Sequence, residues 1–382
     1  MKHPVFILSL FDTGLYAARL LRKTGTGIYG FDYDSTNPGF YSKYITPFVA
    51  PHPQVDAKKF LEILITKRNE FNLKPVLIAA SEDYLDFIYR YREELERNFL
   101  FLLPANEILG KIIKRSAQFE LTAKCAINVP LYKTVYNVYE LKNVIETINY
   151  PVVIKGVEQA LWKKTTKEKA IVAKNNDALL NAGESLLRQN ISFIVQQIIP
   201  GDCSNNFEYN ALMAKGVIIE QNINRKVRQY PVDFGTGCCV RAVDNKDVEA
   251  LGSKFIKENQ IEGFSNTEFK YDLNTGKYFF IETNARVWQQ IELTSRNNQN
   301  YVVKYYNALT DNKIPLITKK SEANLRWVDL PTELLVFLRY RRQINLRFTE
   351  FIKSIFSASC LGLLSLKDFG PFLHTVIFRK RK

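Results

Sequence analysis

Two architectures in series are predicted from the sequence: an N-terminal α/β unit on a parallel sheet, then an α+β unit with antiparallel sheets. Three observations carry this. The first hundred residues alternate short apolar runs with helix-length amphipathic stretches; later apolar runs are joined by hairpin turns; and 46% hydrophobic residues with 13% aromatics can fill packed cores in a 382-residue chain.

In order, PVFILSL, GIYGFDYD, KPVLIAA and FLFLLPA read as buried strands, separated by the amphipathic stretches LYAARLLRK, FLEILITKRNEF and YLDFIYRYREELERN. The turn after the first strand, FDTGLY, has one glycine, so the GxGxxG dinucleotide fingerprint is absent and NAD binding is not expected. A helix over residues 107–124 leads into a second pattern. There PVVIKG is a strand, ALWKKTTKEKAIVAK a hairpin or loop between strands, NNDALLNAGESLLRQ a helix and FIVQQIIPG another strand. FEYNALMAKGVIIEQNINRKV reads as two strands about an Ala-Lys-Gly turn, VEALGSKFIKEN as a helix, and TEFKYDLNTGKYFFIETNAR as a hairpin with a three-residue Asn-Thr-Gly loop. The domain boundaries that follow are 1–105, 106–315 (divided at 192/193) and a basic, apolar helical extension over 316–382.

Five scattered cysteines without a CxxC pair indicate neither a disulfide framework nor a thiolate zinc site, and a reducing, cytoplasmic setting follows. Three dispersed histidines leave carboxylates as the credible metal ligands, which favours a hard ion such as Mg²⁺ over softer metals. A formal charge of +14 calls for an anionic partner, whether a nucleotide, nucleic acid, a phosphorylated substrate or an acidic membrane surface, and does not choose among them.

The chemistry concentrates in FFIETNARVWQQ, residues 279–290. Alternate residues of a strand share a face, so Glu282, Asn284 and Arg286 converge. Folding the hairpin about Gly276 brings Glu268 to within about one residue of Glu282. Like charges across a strand pair repel, so a cation should lie between them. Mg²⁺ on the two carboxylates and the Asn284 amide oxygen answers this, with Arg286 holding a phosphate. On an arbitrary hairpin such acids are more often solvent-exposed partners of lysines; here they follow an apolar run entering the interior.

This pattern resembles the ATP-grasp superfamily, whose signature is a strand with a first metal acid, a turn, and a second strand ending Glu-x-Asn-x-Arg. The resemblance runs from about Lys111 to Leu309, and the first hundred residues are similar to the family's pre-ATP-grasp domain. It implies that Lys155 in YPVVIKG contacts nucleotide phosphates, joined by Arg115 or its neighbour Lys114. It implies that Gln196, Gln197 and Ile199 in VQQIIPGD line the adenine site, that Asp202 takes the ribose hydroxyls, and that Arg225 and Arg228 in NRKVRQYP meet phosphate or a substrate carboxylate. One departure stands out. The phosphate-covering loop, normally glycine-rich, here reads GVEQALWKKTTKEKA, so Lys163 and Lys164 would replace backbone donors and Trp162 would close over the site. A subset of the family resembling D-aspartate ligase and surface-glycan proteins shares the tryptophan and the paucity of glycine.

The resemblance implies an ATP- and Mg²⁺-dependent ligase (Mn²⁺ being an alternative ion) that activates a carboxylate as an acyl phosphate and joins it to an amine, with small-molecule acid and amine substrates and a setting in cell-wall or surface-glycan synthesis. Arg286, Arg228 and Arg225 would act on the transferring group, with Glu268, Glu282 and Asn284 on the metal. Two other readings stand beside it: a non-catalytic nucleotide- or glycan-binding homologue, and a peripheral membrane scaffold. From Lys319 onward 13 Lys and Arg face 5 Asp and Glu. That segment reads either as helices packed on the body or as a contact with an anionic membrane surface at its inner face. No nucleic-acid reader motif is present, and nucleic acid is not an expected partner.

Overall fold

The structure is a computed structural model describing residues 2–166, 168–294, 300–311 and 324–378. Its first unit comprises β1 (Val5–Leu8), α1 (Asp12–Leu21), β2 (Ile28–Asp32), β3 (Thr46–Val49), α2 (Ala57–Arg68), β4 (Val76–Ala79), α3 (Glu82–Arg90) and α4 (Arg92–Asn98). The strands form a wholly parallel sheet in the order β3-β2-β1-β4. β1 and β4 are buried on both faces, as their uninterrupted apolar runs require. Two details differ from the sequence expectation. Thr46–Val49 is an additional edge strand, and FLFLLPA contributes only a bridge between Leu100 and Val76. Beyond that bridge the segment turns away from the sheet, and the Leu102 backbone N–H donates to the Tyr305 hydroxyl at 3.0 Å.

A second unit follows: α5 (Asn106–Ile113), α6 (Arg115–Ala123), β5 (Tyr132–Val135), α7 (Val138–Thr147), β6 (Val152–Gly156), α8 (Gln159–Thr166), β7 (Ile171–Ala173), α9 (Asn176–Arg188) and β8 (Phe193–Gln197). Its antiparallel sheet runs β5-β8-β6-β7, and α7 and α9 share its core with Leu141, Leu179 and Phe193. The single helix expected over 107–124 breaks at Lys114, whose backbone is extended; the Gln118 amide donates to the Ile112 carbonyl freed there. Where a hairpin or loop was expected, Gln159–Thr166 is helical. Ala, Leu, Lys and Gln favour a helix, and Trp162 packs so tightly on Gly156 that a Cβ there would lie 2.5 Å from it.

The third unit holds β9 (Asn206–Ala214), β10 (Val217–Tyr230), β11 (Thr236–Val243), α10 (Lys246–Glu258), β12 (Gly263–Asp272), β13 (Lys277–Asn284), α11 (Ile291–Thr294), α12 (Tyr301–Thr310), β14 (Arg326–Val328), α13 (Leu330–Tyr340), α14 (Phe348–Phe356) and α15 (Gly370–Phe378). Its antiparallel sheet is ordered β13-β12-β9-β10-β11-β14. Asparagine side chains cap several helices: Asn137, Asn175, Asn245 and Asn300 accept from backbone N–H groups in the first turns of α7, α9, α10 and α12. The β12–β13 loop spans four residues, not three, because Asp272 pairs with Lys277; Gly276 has the positive φ (+67°) the turn needs. The segment set apart in the sequence as an extension is integrated into the body: β14 pairs with β11, and Asp368 is buried against Arg19 of α1. No helix among the described residues is long and apolar enough to cross a membrane.

Candidate active site

A cleft of about 1570 Å³ opens among the three units. Its floor is the six-stranded sheet, and the strand sequences explain why that floor is polar. NFEYN in β9, NINRK in β10, NTEFK in β12 and ETN in β13 all place polar residues at alternate positions, hence on one face. The register aligns them into two rows. Glu282 lies opposite Glu268, Glu268 opposite Glu208, and Glu208 opposite Asn224. Two residues along, Asn284, Asn266, Asn210 and Asn222 form a parallel row.

Three carboxylates side by side repel unless compensated. Lys226 Nζ lies 2.6 Å from Glu268 Oε2, while Asn206 Nδ2 donates to Oε1 at 2.8 Å. Arg115 Nη2 donates to Glu282 Oε2 at 3.1 Å. Burial pushes Glu282 toward protonation, but Arg115, Lys155 and Lys226 outweigh it and hold the carboxyl below its ordinary range. For Glu208 burial outweighs the lowering by Lys226 and Asn224 and raises it to about 7, and its Oε2 has no hydrogen-bond partner among the described residues. Burial lowers Lys226 too, yet Glu268 and Glu208 beside it more than restore its proton affinity. Lys155, buried at the end of β6, stands 3.5 Å from Gln196 Oε1, and burial followed by repulsion from Arg115 lowers it to about 8.

The sequence candidates distribute as follows. Glu268, Glu282, Asn284, Arg115, Lys155, Gln196, Gln197, Ile199, Asp202, Arg228 and Arg286 all line the cleft. Asp202 is exposed at its rim and accepts from the Ser204 backbone N–H at 2.7 Å. Arg228 forms an ion pair with the fully buried Glu333 of α13 at 2.5 Å. Arg286 reaches past the end of β13 to pair with Glu82, at the start of α3 in the first unit. Trp162 lines the cleft from α8, its indole donating to the Glu168 carbonyl at 2.6 Å.

Two candidates lie elsewhere. Lys114 is exposed outside the cleft, so of the basic pair only Arg115 enters it. Arg225 sits on the opposite face of β10 from Lys226, its guanidinium 5.5 Å from the Phe207 ring centroid and donating to Ser204. The side chains of Lys163 and Lys164 lie outside the described residues. Reasoning along the chain missed Lys226, Glu208, Asn206 and Asn266, which line the cleft, although the alternating polar pattern of their strands is a readable signal. It also missed Glu82 and Glu333, which carry no local signal.

Could this floor hold a divalent ion? Among the described residues no group of three His, Cys, Asp or Glu side chains is gathered closely enough to bind a metal unaided. Facing carboxylates of Glu268 and Glu282, the adjacent Asn284 amide and the buried, unpartnered Glu208 oxygen are oxygen donors suited to a hard ion. Its remaining ligands would be phosphate oxygens.

No family model matches the chain. The D-aspartate ligase of Enterococcus faecium (strain Aus0004) is 22% identical over 334 residues, spanning 81% of this chain and 77% of that protein. Among solved structures, an N5-carboxyaminoimidazole ribonucleotide synthetase in complex with ADP superposes with a TM-score of 0.66 at 15% identity, covering 90% of this chain and 85% of that one. The L-amino acid ligase of Bacillus licheniformis gives 0.62 at 16%, covering 81% and 74%. The biotin carboxylase domain of Hydrogenobacter thermophilus 2-oxoglutarate carboxylase, solved with MgADP and bicarbonate, gives 0.64 at 14%, covering 85% and 74%. With a parallel-sheet unit leading into two antiparallel sheets about an acid-floored cleft, the chain shares the ATP-grasp fold of these solved structures and is similar in sequence to the D-aspartate ligase.

Proposed function

We propose that the protein is an ATP- and Mg²⁺-dependent ligase that activates a carboxylate and joins it to an amine, releasing ADP and phosphate. The observation that carries this reading is the compensated acid row: Glu282 and Glu268 face each other across a hairpin, ringed by Arg115, Lys155 and Lys226. Phosphoryl transfer depends mainly on positioning and on neutralising charge, and needs no histidine base. Lys155 and Arg115 would hold the phosphates, Gln196 to Ile199 the base, and Asp202 the ribose. Glu268, Glu282 and Asn284 would hold Mg²⁺ or Mn²⁺, which supplies charge neutralisation between phosphate oxygens.

In the first step the carboxylate oxygen attacks the γ-phosphorus, and the bond to the β-phosphate oxygen breaks, leaving ADP and an acyl phosphate. The amine then attacks the acyl carbon, phosphate departs, and the amine proton passes to solvent. Arg286 and Arg228, at the cleft wall, would stabilise the acyl phosphate. Likeness to D-aspartate ligase supports an amino acid as the carboxylate; a sugar acid is the alternative, and cell-wall or surface-glycan synthesis is the setting we propose.

The test is a screen of ADP release over amino acids and uronic acids, with hydroxylamine added to trap the acyl phosphate. Release should rise with one acid and amine pair and fall at least about 100-fold in Glu282→Gln. A folded protein that binds no nucleotide in the presence of Mg²⁺ refutes the reading. One observation favours a second reading, a nucleotide binder without turnover: α8 stands where the family has a glycine-rich loop, and cations already engage both acids. Nucleotide binding without hydrolysis across the panel, unaltered by Glu282→Gln, would support it.

A further inference from the structure

We infer that α15, with the cations around it, is a docking face for an anionic lipid bilayer, a surface separate from the cleft and independent of the ligase reading. One side of the helix is anchored. Pro371 and Thr375 are buried, and the His374 ring stacks on Tyr41 with centroids 3.5 Å apart. Just upstream, Arg19 of α1 donates to Asp368 Oδ2 at 3.0 Å and to the carbonyls of Gly362, Leu363 and Asp368, while Ser42 donates to Asp368 at 2.8 Å. The helix is therefore a fixed part of the body, and its outer side has a defined orientation.

That outer side is apolar. Leu373, Val376 and Ile377 are 47%, 59% and 57% exposed, and Phe369 and Leu366 are also exposed. Phe369, Leu373, Val376 and Ile377 follow the i, i+4, i+7, i+8 spacing of one helical face, and residues 369–378 contain no Asp, Glu, Lys or Arg. A contiguous exposed apolar stripe marks an interaction surface.

Charge identifies the partner. Of the five acids from residue 319 onward, Asp329, Glu333 and Asp368 are buried and Glu350 is paired with Arg347. Among the described residues of the segment, the basic side chains thus face little exposed negative charge. Lys367 and Lys43 are exposed beside the stripe, and the sequence after the helix reads Arg379-Lys380-Arg381-Lys382. An apolar helix face bordered by cations is the pattern of an element that lies in the interface of an anionic membrane, and nine residues are too few to span one. A second copy would bring two like-charged segments together, and nucleic acid would have no use for an aliphatic stripe.

Vesicle flotation of the full chain tests this, with phosphatidylcholine alone and with added phosphatidylglycerol. The protein should float only with the anionic vesicles, and less so as salt rises. Leu373→Glu with Ile377→Glu should abolish flotation while melting temperature and nucleotide binding stay unchanged. Replacing residues 379–382 by glutamine should weaken partitioning roughly 100-fold or more. The inference is overturned if the wild type does not float at low salt, if flotation survives the double substitution, or if that substitution instead dissolves a dimer seen by sedimentation without vesicles.

Discussion

Replacing Lys155 by methionine should make the protein more stable and its nucleotide affinity worse. Lys155 is buried at the end of β6, and burial first, then Arg115, lowers its pKa from 10.5 to about 8. At about 1.4 kcal/mol per pH unit, the folded state disfavours the charged lysine by about 3 kcal/mol. Methionine fills similar space without charge. It forfeits the long contact to Gln196 Oε1, which costs about 1 kcal/mol, so a net gain of about 2 kcal/mol is expected at pH 7. Because the folded value lies below the unfolded one, the unfolded chain binds the extra proton between pH 8 and 10.5. Wild-type stability therefore rises across that window, and the advantage of the methionine variant shrinks with it. Urea unfolding at pH 7 and at pH 10 measures the difference. Loss of a charge-assisted hydrogen bond to phosphate should weaken nucleotide binding about tenfold to over a hundredfold. For the wild type at pH 8, nucleotide should draw about half a proton onto the lysine, seen as buffer-dependent heats in calorimetry. A methionine variant that is less stable at pH 7, or that binds nucleotide as the wild type does, would refute the reasoning.

Adjacent positions on β10 should behave oppositely. Arg225→Ala, on the face away from the cleft, should leave turnover near wild type, whereas Lys226→Met strips the cation from between Glu268 and Glu208 and should abolish Mg²⁺-dependent nucleotide turnover in the same ADP assay. Arg19→Ala leaves the buried Asp368 carboxylate without its ion-pair partner, with only Ser42 and the Lys43 backbone N–H donating to it, which should cost about 3 kcal/mol by urea unfolding. Because it frees the segment that carries α15, it should also reduce flotation with anionic vesicles.

By itself the sequence determined whatever is periodic or local. Alternating strands and helices, the Ala-Lys-Gly turn, the place though not the four-residue length of the β12–β13 turn, and the meeting of Glu268 with Glu282 follow from spacing and turn chemistry, because a short hairpin leaves little freedom in register. Polar alternation in NFEYN, NINRK and NTEFK is a periodic signal of the same kind that went unread, and it marks the cleft floor. Local pattern failed where a residue's role depends on distant chain. Whether Arg225 or Lys226 enters the cleft depends on how β10 registers against β9, since a one-residue slip exchanges the faces. The α8 helix depends on Trp162 finding Gly156. Arg115 reaches Glu282 across 167 positions and Arg286 reaches Glu82 across 204. Such pairs exist only once packing has brought the units together, and the same packing buries Asp329, Glu333 and Asp368 and leaves Arg339, Arg341, Arg342, Arg347, Lys353 and Lys367 exposed.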